Sequence, residues 1–192
     1  DYAFVEDMRS QVGRFEAART MLAFCLHPAG FLNGLPAHRP DDPAVVLFTS
    51  GSESAPKAVP LSHRNLISNS RAALAALQGN QADRLLGFLP PFHSFGLTGN
   101  IVGPILGGIP VVHYPDPTNA SGSVQTIARY RATLLVTTPT FLNYMFGAAK
   151  PEDLRSLRII VTGAEKCPDA LFARAAELVP GAVILEGYGI TE

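Results

Sequence analysis

The sequence predicts an α/β fold, a largely parallel sheet flanked by helices, and two patterns predict it. Short apolar runs at 44–48, 84–89, 109–114, 133–137, 158–162 and 182–185 read as strands, and stretches of helical periodicity near 62–78, 121–131, 139–146 and 168–179 fall between them. Such alternation builds right-handed crossover units, which make parallel sheets. The second pattern is positional. Four stretches unlike either type, 49–57, 90–96, 163–166 and 187–192, each follow a predicted strand. Ligands of such sheets collect outside the carboxyl ends of the strands, so one sheet is expected to bring all four stretches to one rim.

Taken in order, Phe4, Val5, Met8, Val12, Phe15, Leu22 and Leu26 recur at helical spacing and predict an amphipathic helix that ends before Pro28. Residues 27–43 carry four prolines and read as a linker. This gives an expected division into a helix and Pro-rich linker over 1–43 and a compact unit over 44–192. Strand 44–48 is expected to lead through a loop into a capped helix beginning at Ser62, with Leu66, Ser70, Ala73, Leu74 and Leu77 on one face. A Gly-rich helical or irregular piece runs to Gly108. Pro139 suits the first position of a helix, because its missing N–H is not needed there. Pro168 opens another helix.

Composition limits the function classes. Nearly half of the 192 residues are hydrophobic, enough for a solid core. Lys and Arg total 15 against 16 Asp and Glu, a net charge of −1, which gives no support to nucleic-acid binding. Cys25 and Cys167 match no C-x-x-C spacing and read as buried free thiols. His27 and His38 lack partner clusters and read as loop histidines rather than metal ligands. The longest apolar passage, 101–114, is broken by glycines and prolines and is too short to span a bilayer. The setting expected is cytoplasmic. Any association with the inner membrane face would come through regions outside this chain. The absence of an initiating Met and the ending Thr191-Glu192 suggest a piece of a longer protein.

Phe48-Thr49-Ser50-Gly51-Ser52-Glu53-Ser54-Ala55-Pro56-Lys57 has the chemistry of a phosphate cradle. Hydroxyls and backbone N–H groups donate to oxygens, Gly51 lets the chain come close, and Lys57 neutralises charge. A plain turn with a solvated lysine is the alternative reading. The spacing of Gly51 and Lys57 matches the nucleotide loop G-x-x-x-x-G-K-[ST], but Pro56 replaces its second glycine and Ala58 its magnesium-binding hydroxyl.

Together these stretches resemble the adenylate-forming superfamily of acyl-CoA synthetases, luciferases and peptide-synthetase adenylation domains. Phe48, Thr49, Ser50, Gly51, Ser52, Pro56, Lys57 and Val59 match the family's phosphate loop. Leu89-Pro90-Pro91-Phe92-His93 with Gly96, Gly163-Ala164-Glu165 and Tyr188-Gly189-Ile190-Thr191-Glu192 match three further motifs in the family's order. The closer likeness, in F-T-S-G-S-E, F-H-S-F-G-L-T, T-G-A-E-K and I-L-E-G-Y-G, is to the ligase half of the bifunctional acyl-[acyl-carrier-protein] synthetase/2-acylglycerophosphoethanolamine acyltransferases, where Glu53 is expected in place of Thr. Ser54 and Ala58 stand where the family has glycine, and both positions could need backbone angles that a Cβ resists.

The resemblance implies a partial N-terminal domain of the acetyl-CoA synthetase-like fold. It also implies an ATP-dependent ligase that joins a fatty acid to AMP and passes the acyl group to acyl carrier protein or CoA, with an acyltransferase domain fused to it in that subgroup. Thr49, Ser50, Ser52 and Lys57 would hold the β- and γ-phosphates, Thr191 the α-phosphate and Glu192 a Mg²⁺ ion. Tyr188 would stack on adenine, with Gly163, Ala164, Glu165, Glu186, Gly187 and Gly189 around it, and His93 would lie between nucleotide and acyl tunnel. The family's ribose-binding Asp and its C-terminal lysine do not occur within these 192 residues, so weak or no turnover by this piece alone is expected. Read without the family, His93 is a strand-end histidine, Phe92 and Phe95 are core, Glu165 and Lys166 are a solvated pair, and a non-catalytic adenylation-like scaffold is the rival function. A phosphotransferase working in P-loop style is a second rival.

Overall fold

The computed structural model describes residues 12–33, 37–49 and 56–191, and it falls into two units, 1–39 and 40–192. In the first, helix α1 (Arg14–Leu26) is followed directly by α2 (Pro28–Asn33), so the proline expected to open a linker begins a helix instead. The helix α1 is not amphipathic. Its last turns, Met21 to Leu26, are apolar all round, and none of its residues is buried within the structure. Cys25, expected to be buried, is exposed on it. Phe4, Val5 and Met8 lie outside the described residues.

In the second unit, strand β1 (Pro43–Phe48) pairs antiparallel with β2 (Ala58–Ser62), Phe48 opposite Ala58 and Val46 opposite Pro60. This corrects two expectations. The strand 44–48 does not join the parallel sheet, and apart from Leu47 it is not buried. The apolar run hid the second strand because Val59-Pro60-Leu61 contains a proline. In a two-stranded ribbon both strands are edges, and an edge tolerates proline.

Ser62 then caps α3 (His63–Leu77): its hydroxyl accepts from Asn65 N–H at 3.2 Å, and the Asn65 side chain accepts from Ser62 N–H at 2.9 Å. The remaining strands are β3 (Leu85–Gly87), β4 (Val111–His113), β5 (Leu134–Thr137), β6 (Ile159–Thr162) and β7 (Val183–Glu186). They form one parallel sheet in the order β4-β3-β5-β6-β7. The linking helices are α4 (Ser94–Leu97), a π-helical turn over Thr98–Val102, α5 (Gly103–Gly107), α6 (Ala120–Tyr130), α7 (Pro139–Ala148), α8 (Pro151–Leu154) and α9 (Asp169–Leu178).

The strand side chains alternate between two faces. Leu85, Leu134, Val136 and Ile159 meet Ser70, Ala73, Leu74 and Leu77 of α3 around a cavity of about 60 Å³. Leu86, Leu135 and Ile160, the most deeply buried apolar strand residues, point the other way and belong to the core shared with Val124, Ile127, Leu142, Met145 and Leu171 of α6, α7 and α9. The chain leaves β3 toward β4 and leaves β5 in the opposite sense toward β6. The β3/β5 junction is therefore the topological switch point, and in such sheets ligands bind outside the carboxyl ends there.

At the other end of the sheet, Asp83 is buried just before β3. It accepts from Arg158 Nε at 2.6 Å, Thr133 Oγ1 at 2.8 Å and Asn80 N–H at 3.0 Å, tying together the starts of β3, β5 and β6. The Arg158 guanidinium hydrogen bonds, assisted by the Asn80 and Thr133 donors, hold the Asp83 carboxyl down to about 2 against the cost of burial. A carboxyl depressed from 3.8 stabilises the fold fully above pH 4, on the order of 2 kcal/mol, and that contribution is lost as pH falls toward 2. Urea unfolding of wild type and Asp83→Asn is expected to show the wild type losing about that advantage between pH 5 and 2. Parallel stability curves would contradict the clamp.

Candidate active site

Three loops reach the carboxyl rim of the sheet, from β3, β6 and β7, and they meet at Gly163. A Cβ built there would sit 3.0 Å from Phe95 Cζ and 3.1 Å from the Gly187 carbonyl oxygen. Gly163 is buried, its N–H donates to Thr137 O at 3.1 Å, and Gly187 N–H donates to Thr162 O at 2.7 Å. The sheet register thus runs on into both loops for one more residue. Phe95 comes from α4, which is pressed back on its own loop: a Cβ at Gly96 would lie 2.1 Å from Pro90 O. Only glycine allows that approach.

Around this contact the predicted residues take definite places. His93 is exposed at the start of α4, its ring 4.6 Å from that of Phe92. Ala164 has φ +67°, a left-handed conformation uncommon for a residue with a Cβ, and is exposed. Glu165 Oε2 accepts from Thr140 Oγ1 at 2.6 Å, so its carboxylate is fastened to the first turn of α7 rather than left as the solvated partner of Lys166 that the reading without the family gives. Glu186 Oε1 accepts from Cys167 N–H at 2.8 Å and braces the same loop from β7. Tyr188 is 94% exposed, with both ring faces open, and Gly189 is exposed beside it. Thr191 is half-buried. Phe92 is exposed, whereas Phe95 packs on the core, as does Phe88, whose ring meets Phe141 edge-on at 5.9 Å.

The phosphate-loop stretch does not follow a strand of this sheet; its described ends, Thr49 and Lys57, flank the last pair of the β1–β2 ribbon, Phe48 and Ala58. Thr49 N–H donates to Lys57 O at 3.0 Å and Lys57 N–H donates to Thr49 Oγ1 at 3.3 Å, which closes the loop and presents Lys57 exposed at its base. Ser50, Gly51, Ser52, Glu53 and Ser54 lie outside the described residues, as does Glu192. Ala58 is in strand β2 with extended backbone, so no glycine is needed at that position. Among the described residues no three His, Cys, Asp or Glu side chains converge as a metal site. Thr140 and Gly96 hold the site together and are not legible as site residues in sequence: one is a helix-start threonine, the other a glycine in a Gly-rich stretch.

Residues 9–192 match the family model described as AMP-binding enzyme. The chain is 35% identical over 158 residues to the 3-[(3aS,4S,7aS)-7a-methyl-1,5-dioxo-octahydro-1H-inden-4-yl]propanoyl:CoA ligase of Mycobacterium tuberculosis, with 80% of this chain and 30% of that protein covered. It is 31% identical over 159 residues to the long-chain-fatty-acid–CoA ligase of Bacillus subtilis, covering 79% and 27%. The solved structure of the anthranilate CoA ligase AuaEII in complex with anthranoyl-AMP superposes with a TM-score of 0.74 at 28% identity, over 82% of this chain and 31% of that one. The chain belongs to the AMP-binding enzymes, the adenylate-forming superfamily. It spans 27–31% of the length of these relatives. No helix among the described residues is long and apolar enough to cross a membrane.

The crowding at Gly163 is directly testable. Gly163→Ala is expected to cost about 1–3 kcal/mol, because the Phe95 ring and the Gly187 backbone must both give way. Gly187→Ala meets nothing closer than 3.6 Å and is expected to cost less. Thermal unfolding of the two variants compares them; equal losses would mean that the loops do not pack as described.

Proposed function

We propose that this chain carries part of the active site of an ATP-dependent, AMP-forming acid–thiol ligase, one that activates a fatty acid as its acyl-adenylate and passes the acyl group to CoA or acyl carrier protein. The observation that carries the reading is the meeting of Phe95, Gly163 and Gly187, one from each of three family motifs, within contact distance at the carboxyl rim. A nucleotide there would find an exposed aromatic ring at Tyr188 for its base, with Gly163–Glu165 and Glu186–Gly187 as the pocket floor. The half-buried Thr49 and the exposed Lys57 would supply a donor and positive charge for phosphate oxygens. Charge builds on the phosphate as the carboxylate attacks, and preorganised donors of this kind stabilise that charge. Thr191 is assigned to the α-phosphate, and Glu192 to Mg²⁺, which when bound neutralises triphosphate charge. His93, exposed beside Phe92 after β3, is assigned to the side from which the acid would approach.

The fatty acid as substrate rests on the B. subtilis relative's name and on the likeness of F-H-S-F-G-L-T and T-G-A-E-K to the bifunctional acyl-carrier-protein synthetases. In that subgroup the ligase is fused to an acyltransferase domain, and the same fusion is proposed here. The test uses the complete protein that carries this chain, with acid-dependent exchange of pyrophosphate into ATP over acids of graded length. Lys57→Ala and Thr191→Ala are each expected to lower exchange by on the order of 10²-fold, and residues 1–192 alone to exchange feebly. Release of inorganic phosphate instead of pyrophosphate, or full exchange by both variants, would overturn the reading.

A further inference from the structure

We propose that Asn100 is a positioning residue for this site: its buried amide sets the course of the loop from Phe88 to His93, and so the placement of His93. The inference rests on the reading above that this loop faces the acid.

Asn100 is a polar residue in an apolar helical stretch, Leu97 to Ile105, and it is 2% exposed. A buried amide is costly unless its donors and acceptors are met. Its end nearest the sheet faces two backbone donors and is therefore the carbonyl end. The oxygen accepts from Leu89 N–H at 2.9 Å and Phe88 N–H at 3.2 Å. Both residues are buried just past the last ladder pair of β3, which ends at Gly87. Buried N–H groups at that point need a partner from outside the sheet, and Asn100 supplies it to both.

The helix is built to deliver that side chain. Pro104 has no N–H to offer the carbonyl of Asn100, and its ring would crowd that carbonyl in a regular helix. The turn widens, and Gly103 N–H donates to Thr98 O across five residues. A Cβ at Gly103 would lie 2.8 Å from that oxygen, so the widened turn needs glycine there. Such π turns are frequent at functional sites.

The anchor is transmitted along a stiff path. Pro90 and Pro91 have fixed φ, His93 N–H donates to Pro90 O at 3.3 Å, Leu97 N–H donates to His93 O at 2.8 Å, and Gly96 packs on Pro90 O. Little freedom remains between Leu89 and His93. Release of the anchor at 88–89 would move His93 with it.

The experiment compares Asn100→Leu, which removes the acceptor, with Asn100→Asp, which keeps an oxygen in place, both in the complete protein. In acid-dependent pyrophosphate exchange the leucine variant is expected to raise KM for the acid tenfold or more, while the Kd for ATP by calorimetry stays within twofold. The aspartate variant is expected to return the acid KM to within threefold of wild type. Should the leucine variant fail to fold, Asn100→Ser, too short to reach both N–H groups, takes its place with the same direction of change. An acid KM within twofold of wild type, or equal losses for acid and ATP, would overturn the proposal. Absence of exchange in the wild type would sink the functional reading instead. Peptide-mapped modification by diethyl pyrocarbonate then decides the positioning claim alone: the rate at His93 is expected to change at least threefold in the leucine variant with His113 unchanged, and an unchanged rate at His93 would overturn it.

Discussion

Two loop backbones and one aromatic ring meet at Gly163 so closely that a Cβ there would force its neighbours to shift, and the candidate site depends on that approach. The Phe95 ring lies on one side of the glycine and the Gly187 carbonyl on the other. The sheet makes the approach possible. Parallel strands β5, β6 and β7 stay in register to Thr137, Thr162 and Glu186, and the bonds from Gly163 to Thr137 and from Gly187 to Thr162 extend that register into the loops. The side chains that follow then only secure the loops: Thr140 on Glu165, and Glu186 on Cys167 N–H.

The two ends of the sheet divide the work. At the amino ends, Asp83, Arg158 and Thr133 lock the starts of three strands with charge-assisted hydrogen bonds. At the carboxyl ends the residues are glycines, prolines and short polar side chains, and Ala164 is held at φ +67°. Local backbone strain of this kind persists where the surroundings over-determine it, and it clusters at functional sites. The rigid end allows the rim to carry open surface, including a tyrosine that is almost wholly exposed.

Much of this was legible in the sequence, and the rest was hidden for identifiable reasons. The strands beginning at Leu85, Val111, Leu134, Ile159 and Val183 and the helices after Ser62, Asn119, Thr138 and Pro168 follow from apolar runs and capping residues, because those signals are local. The β1–β2 ribbon was misread because Leu47 is the sole buried member of an apolar strand and Pro60 masked its partner. With it went the expectation that the Thr49–Lys57 stretch sits on the same rim by strand order. The exposure of α1 was likewise hidden, since an apolar residue announces a preference for burial without naming what covers it. At the candidate site, the motifs name Gly163, Tyr188 and His93, whereas Asn100, Gly96 and Thr140 are tied to that region by partners eleven to twenty-five residues away or by one backbone contact, which no local pattern records.

On the proposed function, the rim at Gly163 and Lys57 beside the β1–β2 ribbon serve one nucleotide. The most direct measurement is a crystal structure of the complete protein with a non-hydrolysable acyl-sulfamoyl adenosine. The adenine is expected between Gly163–Glu165 and Tyr188, with Lys57 and Thr191 both on the side of the sulfamoyl group. Binding of the analogue away from Gly163, or Lys57 and Thr191 on opposite sides of the molecule, would contradict it.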